Sequence, residues 1–253
     1  TTDMDLGING IWLMPVMPSF TYHKYDTTDY ENIDPQYGTL ETFQELLTAC
    51  HDRGIRVILD LAMNHSSSSH PWFLQAVEYL KNLPEGTEPD SSECPYVDYY
   101  HFSREALSGY AQVNGTDWYY EARFWDGMPD LNLENEAVRR EFEQIADFWL
   151  DMGVDGFRED VITFISKRDG LPNGLPLPAA RGCEHYMNGP HIHEYLTEFR
   201  KDVLDKYDCF VVGEAPMMDV RTALKYIKEG PNQELDMMFH FQHMSADCFL
   251  LEA

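Results

Sequence analysis

The stretch ENEAVRREFEQIADFWLDMGVDGFRED, Glu134 to Asp160, decides the fold class. From Glu134 to Met152, the residues Ala137, Phe142, Ile145, Ala146 and Trp149 share one helical face. Gly153 then breaks the helix, and Val154 to Asp160 follows as a strand. The same cycle occurs on both sides. Upstream, Ile8 to Pro15 reads as a short buried strand, Leu40 to Asp52 as a helix with Thr39 as its N-cap, and Arg56 to Ala62 as a second buried strand after Gly54. Downstream, His193 to Tyr207 is helical, Cys209 to Glu214 a strand, Val220 to Glu229 helical, and Leu235 to Phe241 strand-like. Strands alternating with helices imply a parallel α/β sheet covered on both faces.

Between His65 and Met128 the alternation stops. This stretch is rich in Ser, Pro and aromatic residues and too long for an ordinary connection, and Tyr96 to Phe102 and Asp117 to Phe124 read as irregular strands. The chain therefore divides into residues 1–65, an inserted subdomain at 66–127, and a continuation at 128–253. The aromatics Trp72, Phe73, Tyr99, Tyr100, Trp118, Tyr119, Phe124 and Trp125 are expected to form mostly the small core of the insert.

Composition narrows the partners. Eighteen Lys and Arg against 44 Asp and Glu give a formal charge of -26, which repels phosphate backbones and anionic lipid surfaces, so neither nucleic acid nor membrane is expected. The apolar runs are strand-sized, well short of the ~20 residues of a membrane span. Cys50, Cys94, Cys183, Cys209 and Cys248 are scattered, odd in number and without metal-ligand spacing, which points to a reduced, cytoplasmic compartment. The ten histidines, His191 and His193 among them, form no metal-binding array, and no protein-bound metal is expected.

Polar residues cluster where the strands end: Asp60 with Asn64 and His65, Arg158 with Asp160, and Glu214. In a (β/α)₈ barrel or a doubly wound sheet, the chemistry sits at these C-terminal ends. Arg158 and Asp160 are two apart and face one side, whereas Glu159 faces the other and is expected to be structural. The guanidinium should lower the Asp160 pKa and keep it ionised, as a carboxylate nucleophile requires. Glu214 follows the apolar run Phe210 to Gly213, where desolvation should let it hold a proton. Taken singly, the first pair also fits a structural ion pair, and Glu214 also fits a cap. Together, the strand ends match the division of labour in glycoside hydrolysis.

DLAMNH at Asp60 to His65, GFRED at Gly156 to Asp160, VVGEAP at Val211 to Pro216, and MPDLNLEN at Met128 to Asn135 resemble, in order and spacing, signatures of the α-amylase family of glycoside hydrolases, family 13. The resemblance implies a (β/α)₈ TIM barrel with a small domain inserted after the third strand, Asp160 as nucleophile, Glu214 as acid/base, and Tyr25, Asp60, His65 and Arg158 around the sugar being cleaved. GFREDVITFISK and HYMNGPHIHEYL look closest to oligo-1,6-glucosidase-like and dextran glucosidase-like members and to trehalose-6-phosphate hydrolases, and Val161 after the nucleophile is typical of members cleaving α-1,6 links. The implied substrates are α-glucans and malto- or isomalto-oligosaccharides.

YHKYD, Tyr22 to Asp26, looks more like certain amylases, which keeps endo-action as an alternative; a non-catalytic barrel relative used for binding is a further one. No match to the family's His-Asp signature on the seventh strand occurs within the sequence. The chain is accordingly expected to cover about strands two to six of eight, without the loop where related enzymes often bind calcium, and to be inactive alone.

Overall fold

The computed structural model describes residues 6–241 apart from 169, 171–172, 176–181 and 231–232. Its main sheet comprises β1 (Gly10–Leu13), β2 (Arg56–Leu61), β6 (Gly156–Glu159), β7 (Phe210–Glu214) and β8 (Met237–Phe239), in the order β1-β2-β6-β7-β8, with every pair parallel. The sheet is curved: the rings of Trp12 on β1 and Phe239 on β8 lie 5.7 Å apart although three strands separate them in the order. The chain thus forms part of a (β/α)₈ barrel, with the ends of its parallel strands gathering Asp60, Asp160 and Glu214.

The helices α1 (Leu40–His51), α3 (Glu136–Met152), α5 (Ile192–Asp202) and α6 (Val220–Ile227) lie in the crossovers between these strands. Thr39 caps α1 reciprocally with Thr42, each backbone N–H donating to the other's hydroxyl, at 2.8 and 3.3 Å. The expected start of α3 at Glu134 shifts to Glu136 because Asn135 is the N-cap, its side chain accepting from the Ala137 N–H. Gly153 ends α3 in the left-handed conformation at φ 106°, which turns the chain toward β6. Phe142, Ile145 and Trp149 are buried on the face of α3 that the sequence marks, each contributing on the order of 2 kcal/mol of burial. Gly156 opens β6 at φ 138°, and a Cβ there would stand 1.8 Å from the Phe210 carbonyl oxygen, so glycine permits the close approach of β6 to β7.

The insert carries a three-stranded antiparallel sheet, β3 (Phe102–Ser103), β5 (Tyr119–Glu121) and β4 (Tyr110–Gln112), in the order β3-β5-β4. Single bridges from His65 to Asp130 and from Tyr100 to Leu131 fasten its surroundings to the barrel. Phe73, Tyr99, Tyr100 and Trp118 are core residues, whereas Phe124 and Trp125 are about half exposed. Two segments differ from the sequence expectation. Pro71–Asn82 forms the helix α2, started by Pro71 in its first turn and buried through Phe73, Ala76 and Leu80. Tyr96 to Phe102 begins as a 3₁₀ turn, Pro95–Asp98, with only Phe102 and Ser103 in a strand; the turn starts at Pro95, whose fixed φ suits it. Among the described residues, no helix is long and apolar enough to cross a membrane. Cys50, Cys94, Cys183 and Cys209 are free thiols, and Cys248 lies outside the described residues.

Glu159 faces away from Asp160, and the structure gives it an unusual environment: it is fully buried, and neither carboxylate oxygen has a hydrogen-bond partner. Burial pushes its pKa up to about 8, with Arg200 pulling it down and Asp236 and Glu234 pushing further up. Its folded-state pKa exceeds the ordinary value of 4.5, so stability is fully present below that value and declines as pH rises through about 8. Glu159→Gln should therefore raise the melting temperature at pH 8.5 and change it little at pH 5. Equal shifts at the two pH values would show that Glu159 is ionised throughout.

Candidate active site

Register places the polar strand ends side by side. Asp60 of β2 pairs with Arg158 of β6, and Arg158 pairs with Val212 of β7, two residues before Glu214. With side chains alternating along a strand, Asp60, Arg158, Val212 and Glu214 share the concave face, as does Asp160 just past the end of β6. Arg158 bonds all three carboxylates: its Nη1 donates to Asp60 Oδ1 at 2.8 Å and to Asp160 Oδ1 at 2.5 Å, and its Nη2 donates to Glu214 Oε2. Tyr25 closes the group by donating from its hydroxyl to Asp60 Oδ2 at 3.0 Å. The guanidinium also lies over the Tyr25 and Trp12 rings, 5.6 and 5.2 Å from their centroids. Val161, at φ 36°, turns the chain after β6 so that its N–H donates to Glu214 Oε2 at 3.3 Å, while its side chain packs with Phe164 and Tyr186.

One guanidinium against three carboxylates leaves excess negative charge in a buried space. Burial raises the Asp160 pKa well above the carboxylate range; Arg158 pulls it down, but Asp60 and Glu214 push it up again. The expectation that Arg158 would set a low pKa for Asp160 is thus corrected: its pull is present but outweighed. Burial likewise lifts Asp60 to about 6 against the pull of Arg158. For Arg158 burial opposes the charge, yet the surrounding carboxylates raise its pKa. Asp60 and Asp160 so placed hold on to protons at a pH where isolated carboxylates have lost theirs.

His65 completes the arrangement, with Nε2 3.8 Å from Asp160 Oδ2 and no hydrogen-bond partner of its own. Burial lowers its pKa to about 4, so it is neutral at pH 7. Its tautomer follows from its neighbours. Lys167, a donor only, gives hydrogen bonds to Asn64 Oδ1 at 3.2 Å and Asp130 Oδ2 at 2.8 Å. The Asn64 amide nitrogen must then face Asp130 and His65 Nδ1, both at 3.2 Å. Nδ1 accepts, and the proton stands on Nε2, 3.8 Å from Asp160 Oδ2.

The structure brings together Tyr25, Asp60, His65, Arg158, Asp160, Val161 and Glu214, every site residue singled out in the sequence. Sequence reasoning missed Lys167 and Glu121, which are 2 % and 0 % exposed. Lys167 Nζ lies 3.6 Å from Glu121 Oε2, and Arg123 donates to Glu121 Oε1 at 2.5 Å. Burial drives Glu121 up and works against Asp130 too, but Lys167 holds Asp130 below its ordinary value. Asp130 stands within MPDLNLEN, so its partner could have been sought, but a lone Lys gives no spacing signal. Elsewhere among the described residues, Glu143, Glu198 and Asp202 converge closely enough to share an ion, but Arg139 and Arg140 already pair with them.

The alpha amylase catalytic domain model matches residues 4–251, and the chain belongs to the α-amylase family. It is 38 % identical over 260 residues to an oligo-1,6-glucosidase of Parageobacillus thermoglucosidasius, covering 96 % of this chain and 44 % of that protein. Among solved structures, Eubacterium rectale Amy13B is 48 % identical with a TM-score of 0.78, over 93 % of this chain and 41 % of that one. Bacillus licheniformis trehalose-6-phosphate hydrolase is 34 % identical with a TM-score of 0.82, over 94 % of this chain and 43 % of that one. The chain spans less than half the length of these relatives.

Lys167→Met should cost about 3 kcal/mol of unfolding free energy, because it leaves Asp130 and Glu121 buried without their ammonium. Urea denaturation of the wild type and variant measures this. An unchanged midpoint would show that water or a rearranged Arg123 meets those charges.

Proposed function

We propose that the protein carrying this chain hydrolyses α-glucosidic links of short oligosaccharides with net retention, Asp160 attacking the anomeric carbon and Glu214 serving as acid and then base. The supporting observation is the binding of both carboxylates to the one Arg158 guanidinium, which holds two reacting groups on the same concave wall. In the first step Asp160 bonds to the sugar while Glu214 donates a proton to the leaving oxygen. In the second, Glu214 takes a proton from water, which displaces Asp160. Arg158, bonded to Asp160, and the His65 Nε2–H near it favour its anionic form as the sugar enters. Tyr25 and Asp60 would line the cleaved ring.

The α-1,6 link is the finer part of the reading. It rests on the oligo-1,6-glucosidase relatives and on Val161, which stands directly after the nucleophile with its N–H on Glu214. Residues 1–253 alone are expected to be inactive, since the sequence holds no match to the His-Asp signature that would supply a further carboxylate. The substrates are uncharged or weakly charged sugars, in keeping with a formal charge of -26.

Glu214→Gln in the full-length protein tests the assignment. Aryl α-glucosides with poor leaving groups should slow by ~10²–10⁴, the usual worth of general acid catalysis. Those with good leaving groups should form the glycosyl-enzyme in a burst and then stall. Equal slowing of both would remove Glu214 from the acid/base role.

A further inference from the structure

Glu159 is a buried carboxyl for which the chemistry above has no use. It stands on the face of β6 turned away from Arg158 and Asp160, in register with Leu61 of β2 and Gly213 of β7. Because β6 is paired on both sides, Glu159 lies inside the arc and not at its open edge. Titratable groups face it from three sides. From α5 comes Arg200, whose guanidinium is already engaged: Nε donates to Asp205 Oδ1 at 2.9 Å and Nη1 to Asp236 Oδ1 at 3.3 Å. The segment before β8 brings Asp236 and Glu234, and Glu234 is held by His193 of α5, 2.9 Å away. The segment before β7 brings Cys209, whose thiol donates to the Leu204 carbonyl at 3.5 Å and is pushed by burial up to about 11, so that it is neutral. None of these groups bonds either Glu159 oxygen.

An ionised carboxylate in this place would meet two anions, a cation engaged elsewhere and no donor, so the packing fits only the neutral acid. The cover over it is tied down by bonds that can be named. Asp236 fastens the segment before β8 to β7, accepting from the Val211 N–H at 2.8 Å and donating its own N–H to the Val211 carbonyl at 3.2 Å. The Glu234 and Leu235 N–H groups both donate to the Tyr226 carbonyl, at 3.1 and 3.0 Å.

We propose that Glu159 is a proton-operated latch: with its carboxyl neutral, α5 and the segment before β8 close over β6 and β7, and loss of the proton favours an opened form in which that cover lifts and the carboxylate meets water. Since β7 ends in Glu214, opening loosens the wall that carries it. The latch goes beyond the hydrolase reading and does not rest on it. The closed form keeps the proton up to about pH 8, whereas an opened form with an ordinary carboxyl releases it from about pH 4.5. Between these values one proton leaves per opening, so the opened population rises about tenfold per pH unit and levels off above pH 8.

Hydrogen exchange of the full-length protein, followed by mass spectrometry from pH 5 to 8 and divided by the intrinsic rate at each pH, reads that population. In the wild type, protection of peptides covering Ile192–Asp202 and residues 207–216 should fall about tenfold per pH unit, while peptides from Leu40–His51 should stay within about threefold across the range. In Glu159→Gln the first two should become as flat as the third. Glu159→Met, which needs no buried hydrogen bond, should behave as Glu159→Gln does, and circular dichroism at pH 5 confirms the folding of each. A flat wild-type profile would overturn the latch, as would a slope that survives in both variants. An equal slope in Leu40–His51 would also overturn it, because the opening would then be global.

Discussion

Arg158 has to satisfy three carboxylates at once, two of them buried, and the arrangement of the barrel arc follows from that requirement. A guanidinium suits the task because its fork presents separate nitrogens in one plane, Nη1 to Asp60 and Asp160 and Nη2 to Glu214. The carboxylates come from three strands, so the bonds hold only in one register, β2 on β6 on β7. Gly156 allows that register by letting β6 meet the Phe210 carbonyl at a separation no side chain would tolerate. The cost is electrostatic. Burial, with the neighbouring carboxylates adding to it, raises the pKa of Asp160 and lifts Asp60 to about 6 against the pull of the one cation.

A second buried network stands behind the first and settles a proton position. Lys167 orients Asn64, Asn64 fixes the tautomer of His65, and the protonated Nε2 of His65 stands 3.8 Å from Asp160 Oδ2. Its members come from the end of β2, from the inserted sheet, from the segment before α3, and from the segment after β6. The insert is therefore joined to the site by charge pairs in the interior and not only by its covalent connections. Such networks are satisfied as a whole or fail as a whole, which makes the position of the insert part of the chemistry.

Much of this was legible in the sequence because it depends on local periodicity. The apolar face of Glu136–Met152, the Gly153 stop and the strand behind it, and the recurrence of that cycle disclosed the parallel sheet. The strand ends disclosed Asp60, Asp160 and Glu214. What stayed hidden depends on contacts between distant segments. Lys167 lies 37 residues from Asp130 and 103 from Asn64. The sign of the Asp160 shift could not be read from Arg158 next to it, because it is set first by burial and then by carboxylates that arrive from β2 and β7. The helix at Pro71–Asn82 is a different case: Phe73, Ala76 and Leu80 at helical spacing behind Pro71 were available as a signal, and the surrounding Ser, Pro and aromatic residues obscured it.

The central claim is that the guanidinium-held Asp160 is the group that bonds to the sugar. A fluorinated α-glucosyl fluoride, whose glycosyl-enzyme forms faster than it hydrolyses, tests this when incubated with the full-length protein, followed by proteolysis and mass spectrometry of the labelled peptide. The account predicts one sugar attached at Asp160, within the peptide containing GFRED. A sugar on Asp60 or Glu214, or turnover without any covalent adduct, would contradict it.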